Sequence, residues 1–200
     1  MHLKTVYPEK PIPMQDFDGQ HYVKLLNEVL GTLTDPRRRL IMQSMIEHLL
    51  TEHGGRYAEL MEICSQKTQS YQAWGLGAGL SGAGPQSYEE LAAYYWDVVD
   101  SKAWMVHGEL DKVIVGDDEI VLDGVLHQLV PTEMVEPLFG VTVDPAYRAY
   151  QMTKRLCIIF LFDEDGRTCG EHVYVNGPTT ARDLTPVDDQ SLPGLLRSPD

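Results

Sequence analysis

The sequence predicts an α+β fold, in which a curved antiparallel sheet and the N-terminal helices that wrap it form a cone around an apolar pocket. Two observations lead to this prediction. Before residue 102 the apolar residues recur at helical spacing, and after it they alternate with polar residues as in strands. The length of 200 residues suits one domain. We therefore expect a single unit over residues 1–200 with its core at about residues 21–177.

Three helices are predicted near the start of the chain. The first covers residues 21–30. The second begins at Asp35-Pro36, an N-cap followed by proline at the first helical position, and Gly54-Gly55 ends it. A shorter helix follows at residues 57–64.

A fourth helix begins after a loop. Residues 75–86 contain five glycines and are predicted to form a flexible loop or lid. Their spacing differs from that of a dinucleotide-binding loop, so phosphate binding is not expected. Ser87 and Glu90 then fit the capping-box pattern, which opens the helix.

The second half of the chain is predicted to form four strands, which are residues 103–115, 119–130, 152–163 and 168–176. Short acidic turns join the first pair and the last pair, and residues 131–150 are predicted to form a long loop. Residues 1–18 are predicted to be an extended arm, and the proline-rich tail after Pro178 an irregular one.

Composition narrows the set of partners. The formal net charge of −14 disfavours nucleic acid and anionic membranes, since both are polyanions. An odd number of cysteines without paired spacing indicates a reducing compartment, so a cytoplasmic protein is expected. The scattered histidines and cysteines predict neither a metal site nor a cofactor. The expected partner is a small molecule.

Polar residues on the predicted strands are the candidate catalytic groups. Alternation places Asp123 and His127 on one face of the second strand. Arg155 on the third strand and Glu171 on the fourth could face the same interior. An acid–base pair of Asp123 and His127, with Glu171 as orienter or second acid and Arg155 as anion stabiliser, is one hypothesis. The alternative is a structural Arg155–Glu171 pair with His127 only hydrogen-bonded.

Aromatic and imidazole side chains could line a ligand site, because they combine apolar surface with a polar group. The predicted substrate-binding residues are Tyr71, Trp74, Tyr94, Tyr95 and His107. Several of them could instead belong to the core, and His107 could be a surface residue.

Several segments make the chain resemble the nuclear transport factor 2-like superfamily, and within it the bacterial SnoaL-like proteins. They are Glu59–Met61, Tyr71–Gly75, Ser87–Leu91, Val121–Leu126 and Asp165–Tyr174. The resemblance spans residues 36–177 and implies a cone-shaped domain, usually oligomeric, so a homodimer or homotrimer is expected. The long loop and the two arms depart from the family pattern.

The resemblance also implies a range of activities. Members include isomerases, dehydratases, polyketide cyclases, epoxide hydrolases and cofactor-free lyases of lignin-derived diarylpropanes, as well as proteins that only bind. The leading hypothesis is a cofactor-independent lyase of aromatic compound catabolism that acts on a small, mostly apolar substrate by acid–base catalysis. An isomerase, dehydratase or cyclase, or a non-catalytic binding protein, are the alternatives.

Overall fold

The computed structural model describes residues 9–76 and 82–196. Its helices are α1 (His21–Thr32), α2 (Pro36–Glu52), α3 (Tyr57–Ile63), α4 (Tyr88–Asp100) and α5 (Thr132–Phe139). Its strands are β1 (Ser70–Trp74), β2 (Gly82–Ala83), β3 (Val106–Val115), β4 (Glu119–Pro131), β5 (Ala149–Phe162), β6 (Thr168–Val175) and β7 (Leu184–Pro186). Within the described part of the chain, no helix is long and apolar enough to cross a membrane.

Four predicted helices are confirmed, and their capping residues act as the sequence indicated. The Asp35 carboxylate accepts a hydrogen bond from the backbone N–H of Arg38, and the Ser87 hydroxyl accepts one from the N–H of Glu90. These bonds satisfy backbone donors that have no partner within the first helical turn.

The strands form one curved sheet in the order β2-β1-β6-β5-β4-β3, and β7 pairs with the far end of β5. The predicted antiparallel meander of β3 to β6 is confirmed, although β1 joins β6 in parallel. The sheet does not close into a barrel, and it forms the curved wall of a cone.

Four short elements were not predicted. The region expected to be a long loop contains α5, whose interior Pro137 hides its helical period. Strands β1, β2 and β7 have two to five residues each, too few to show an alternating pattern. The centre of the predicted glycine-rich lid, residues 77–81, lies outside the described residues, as do residues 1–8 of the N-terminal arm.

Both faces of the sheet bury apolar side chains. On the inner face, α1 and α2 pack against β4 and β5 through Leu26, Met45, Ile120 and Phe160. On the outer face, the N-terminal segment and the C-terminal tail cover one end of the same strands, where a cluster contains Met105, Leu129, Ala149, Val187 and Leu192. The tail is therefore ordered by packing, although its sequence is irregular.

Candidate active site

A cavity of about 310 Å³ lies between the inner face of the sheet and helices α2 and α4. Its size is at the lower end of the range for small-molecule sites. Most of its wall is apolar, and includes Leu49, Leu122, Leu156, Ile158, Phe160 and Val173. The ionisable side chains of Glu52, His53 and Glu171 are among the polar groups that line it. The cavity therefore holds a few polar groups on an apolar background.

An ion cluster forms where α2 meets β6. His48 and Glu52 are one helical turn apart on α2, and their Nε2 and Oε2 atoms are 3.4 Å apart. The same Nε2 atom lies 3.3 Å from Oε1 of Glu171 on β6. The His48 side chain is fully buried, whereas those of Glu52 and Glu171 keep 17% and 12% of their surface exposed. The two carboxylates consequently face the cavity with the imidazole behind them.

Hydrogen bonds hold this cluster from behind. The Tyr95 hydroxyl donates to Oε1 of Glu171 at 2.8 Å and lies 3.2 Å from the hydroxyl of Tyr71. Nδ1 of His48 is 3.0 Å from the Thr168 hydroxyl, which donates in turn to Sγ of Cys64. Since the Thr168 proton points to sulfur, Nδ1 of His48 is the donor to Thr168.

The cluster shifts the pKa values of its two carboxyl groups in opposite directions. Burial raises the pKa of Glu171 above its usual value. Burial alone would also raise the pKa of Glu52, but the contact with His48 lowers it overall. Burial would lower the pKa of His48, yet its contacts with Cys64, Glu171 and Glu52 raise it well above its usual value. The cluster thus favours a protonated His48 paired with an ionised Glu52, beside a Glu171 that keeps its proton to higher pH.

His53, the residue after α2, is a neutral base facing the same cavity. The Tyr22 hydroxyl donates to the backbone carbonyl of Leu49 at 3.1 Å and lies 2.7 Å from Nδ1 of His53. Because a hydroxyl carries one proton, Nδ1 of His53 must donate to Tyr22, which leaves the lone pair on Nε2. Burial lowers the pKa of His53 overall; the charge of Glu52 opposes this shift and that of His48 adds to it, so the neutral ring is favoured.

The donor atoms of His48, Glu52 and Glu171 lie within 4.8 Å of one another, a spacing that a cation could bridge. No other such group occurs in residues 9–76 and 82–196. Coordination would require a neutral His48 with its lone pair on Nε2. Because the pKa of His48 is raised, a cation would have to displace a proton from this ring.

Of the four predicted catalytic residues, the structure brings only Glu171 to the cavity. Among the predicted substrate-binding residues, Tyr94 lines the cavity, while Tyr71 and Tyr95 are buried behind Glu171. Burial raises the pKa of Tyr71 and of Tyr95 well above the usual value, so both hydroxyls keep their protons as donors.

The expectation that Asp123 and Arg155 face the pocket is wrong. Their side chains lie on the outer face, where they are 38% and 33% exposed, and Nη2 of Arg155 is 3.2 Å from Oδ2 of Asp123. Arg155 pairs more closely with Asp111, at 2.6 Å, and not with Glu171 as the structural alternative expected. Apolar residues occur on both faces of β4 and β5, so alternation alone could not show which face is inner.

The outer face also holds His127, His107 and Trp74, none of which lines the cavity. His127 is buried there, with Nε2 3.0 Å from Glu109 and Nδ1 3.1 Å from the hydroxyl of Thr153. The ring of His107 stacks on that of His21, at the start of α1, with centroids 4.6 Å apart. Trp74 stacks on Tyr174 at the same centroid distance, 4.6 Å.

Sequence reasoning did not find His48, Glu52 or His53. A signal was present for the first two, because they continue the apolar stripe of α2 that contains Met45 and Leu49. A polar side chain within such a stripe must be buried or face a cavity. His53 follows the helix and carries no such signal.

Solved structures resemble this chain in fold. A SnoaL-like protein from Shewanella putrefaciens CN-32 superposes with a TM-score of 0.53 at 12% identity, over 86% of this chain and 92% of the other. For an NTF2-like protein from Anabaena variabilis the TM-score is 0.51 at 13% identity, over 74% and 96%. SalBIII, an epoxide hydrolase/cyclase-like enzyme in pyran ring formation of salinomycin, superposes with a TM-score of 0.50 at 11% identity, over 74% of this chain and 95% of the other.

No protein-family model matches the sequence, and no curated protein matches it. Identities of this size establish the architecture alone. In its cone of sheet and helices, the chain is similar in fold to NTF2-like and SnoaL-like proteins.

Proposed function

We propose that this protein is a cofactor-independent enzyme that acts by acid–base catalysis on a small, mostly apolar, aromatic substrate. One observation carries the proposal. Glu171 and His53 line the same apolar cavity, and their pKa values are shifted in opposite directions, Glu171 upward and His53 downward. A group that keeps its proton then faces a group that keeps its lone pair, which is the arrangement that acid–base catalysis needs.

The chemistry assigned to the pair is elimination or carbon–carbon cleavage. In an elimination, Nε2 of His53 takes the proton from carbon while the electrons of that bond form the new double bond. Glu171 donates its proton to the departing hydroxyl oxygen, which leaves as water. Return of the proton from His53 to Glu171 completes the cycle. In a cleavage, His53 takes the proton of a substrate hydroxyl, the oxygen forms a carbonyl as the adjacent carbon–carbon bond breaks, and Glu171 protonates the carbon that takes the electrons of that bond.

The other members of the cluster position these two groups. The protonated His48 ring holds both carboxyl groups in place, and the negative charge of Glu52 stabilises the imidazolium that forms when His53 takes a proton. The hydrogen bond from Tyr95 orients the Glu171 carboxyl group. We call these positioning residues, since His48 and Tyr95 are buried behind the cavity wall.

A lyase remains the proposed reaction class, because one acid and one base that line the same apolar cavity suffice for it. An isomerase, dehydratase or cyclase would use the same pair, and the fold likeness to an epoxide hydrolase/cyclase-like enzyme is compatible with this alternative. The mostly apolar wall supports a different second candidate, a non-catalytic binding protein.

A homo-oligomer, dimer or trimer, in the cytoplasm is proposed as the working form. Three large apolar side chains on the surface support a subunit contact: Trp74 is 37%, Tyr174 43% and Ile114 50% exposed. The three free cysteines are compatible with a reducing compartment. Sedimentation equilibrium of the purified protein measures the oligomer, and a monomer at all concentrations contradicts it.

The test is turnover of aromatic diols, hydroxy-ketones and enones by protein dialysed against a chelator, with no cofactor added. We expect one class to react, and Glu171→Gln to slow that reaction about 10²–10⁴-fold, the usual contribution of a positioned acid. Asp123→Asn is the matched control, since it makes the same change on the outer face.

Three outcomes contradict the proposal. Activity that returns only when a metal ion is added removes its cofactor independence. Tight binding of the panel without any turnover favours the binding protein. A slow Asp123→Asn protein beside a fully active Glu171→Gln protein moves the chemistry to the outer face.

A further inference from the structure

The side chains of His48, Glu52 and Glu171 are spaced like the ligands of a four-coordinate cation. A tetrahedral zinc ion holds nitrogen and oxygen ligands at about 2.0–2.2 Å, which places any two ligand atoms about 3.3–3.6 Å apart. Nε2 of His48 lies 3.4 Å from Oε2 of Glu52 and 3.3 Å from Oε1 of Glu171. Each side chain offers one ligand atom, and all three atoms lie within 4.8 Å of one another. Two edges of a tetrahedral ligand set are therefore already formed.

Neighbouring hydroxyl groups hold these atoms in the orientation that coordination needs. Nδ1 of His48 donates to the Thr168 hydroxyl at 3.0 Å, so the deprotonated ring carries its lone pair on Nε2. The Tyr95 hydroxyl lies 3.1 Å from this Nε2, but its proton is donated to Oε1 of Glu171. The lone pair on Nε2 thus has no competing donor in Tyr95. Hydrogen bonds of this kind, made from outside the ligand set, strengthen metal binding.

The position of a fourth ligand lies on the cavity side of the cluster. Glu52 and Glu171 line the cavity, while His48 is fully buried behind them. Two ionised carboxylates beside a neutral imidazole carry two negative charges, which a divalent cation cancels. A cation can enter through the cavity, and a water molecule there can complete its coordination.

We propose that His48, Glu52 and Glu171 form a binding site for a divalent cation of the zinc type. One imidazole nitrogen and two carboxylate oxygens suit Zn²⁺, whereas Mg²⁺ requires an octahedral set of oxygen ligands. This site goes beyond the proposed function, in which no metal takes part. A Glu171 carboxylate bound to the cation cannot hold the proton that it gives to the substrate. The cation is therefore an inhibitor, and only this consequence rests on the proposed function.

The test is calorimetric titration of the chelator-dialysed protein with Zn²⁺, repeated in the presence of Mg²⁺. We expect one tightly bound Zn²⁺ per chain and no competition from Mg²⁺. Glu52→Gln and Glu171→Gln each remove an ionised ligand and should weaken Zn²⁺ binding at least about 100-fold. Thr168→Val removes only the support of the His48 ring and should weaken it about 10–100-fold. Circular dichroism establishes that each variant is folded.

Glu109→Gln is the matched control, because it makes the same change beside a histidine on the outer face. Oε2 of Glu109 lies 3.0 Å from Nε2 of His127, and this pair belongs to no group of three ligand atoms within residues 9–76 and 82–196. Its loss should leave Zn²⁺ binding unchanged. Co²⁺ provides a second measurement, since the four-coordinate ion absorbs visible light intensely and the six-coordinate ion weakly. We expect the intense spectrum, and expect Glu52→Gln to abolish it.

Three results overturn the inference: no tight Zn²⁺ binding, equal affinity in the wild-type and Glu52→Gln proteins, or an equal loss in Glu109→Gln. The binding measurements need no turnover, so the two proposals fail separately. A protein that binds Zn²⁺ through these ligands but turns over no substrate refutes the proposed function and leaves the site standing. Full turnover with Zn²⁺ bound at the site refutes the role of Glu171 as the acid.

Discussion

The two faces of the central sheet carry similar side chains in different surroundings. On the inner face, His48, Glu52 and Glu171 form a cluster whose carboxyl groups have pKa values shifted in opposite directions. On the outer face, Arg155 and Asp123 form an ion pair that is about one-third exposed. Water screens the outer charges, whereas burial makes each inner charge depend on its neighbours. Side-chain type alone therefore does not mark a reactive site.

The sharpest test of this comparison replaces one histidine on each face with glutamine. His53→Gln removes the proposed base, and we expect turnover per folded molecule to fall about 10²–10⁴-fold. His172→Gln is the control, because His172 lies on the outer face with Nε2 3.0 Å from the hydroxyl of Ser70. Steady-state kinetics of both variants measure the difference, and similar rates for the two would contradict the assignment of His53.

Substitutions at two consecutive residues of β5 compare how much a charged pair on each face contributes to the free energy of unfolding. Lys154→Met removes the buried ammonium group that balances the charge of Asp183, and should lower the free energy of unfolding by about 3–5 kcal/mol. Arg155→Met breaks a partly exposed pair and should cost no more than about 1 kcal/mol. Urea denaturation measures both, and an equal loss in the two variants would show that the faces do not differ in this way.

The pH dependence of kcat/KM tests the two protonation states. Glu171 acts when protonated, so the rate should fall as pH rises through its pKa, which lies above the usual 4.5. His53 acts when neutral, so the rate should fall as pH drops through its pKa, which lies below the usual 6.5. The profile is then bell-shaped. Residual activity of Glu171→Gln should lack the alkaline limb, and survival of that limb rules out Glu171 as the acid.

The smallest expected effect concerns a positioning residue. Tyr95→Phe removes the hydrogen bond to Glu171 and should lower kcat about tenfold. Since this bond also lowers the pKa of Glu171, its loss should move the alkaline limb to higher pH, which a purely structural role would not do. Tyr174→Phe on the outer face is the control. A lower rate with an unmoved limb argues against this role of Tyr95.

Part of the candidate site was predictable and part was not. Glu171 and the tyrosines were found because they are polar or aromatic residues on predicted elements. His48 and Glu52 could have been found from the apolar stripe of α2, because they continue it with polar side chains. The position of His53 depends on its hydrogen bond with Tyr22, 31 residues away in the chain. No local pattern contains that contact.

The sequence alone determined helices α1 to α4, strands β3 to β6, the caps at Asp35 and Ser87, and the antiparallel pairing of β3 to β6, because these depend on neighbours a few residues apart. Only the tertiary structure decided which face of each strand is the inner one. Helices α1 and α2 cover one face, while the N-terminal segment and the tail cover the other. Because both coverings bury apolar side chains, an alternating strand fits either orientation, and Asp123 and Glu171 consequently lie on opposite faces of one sheet.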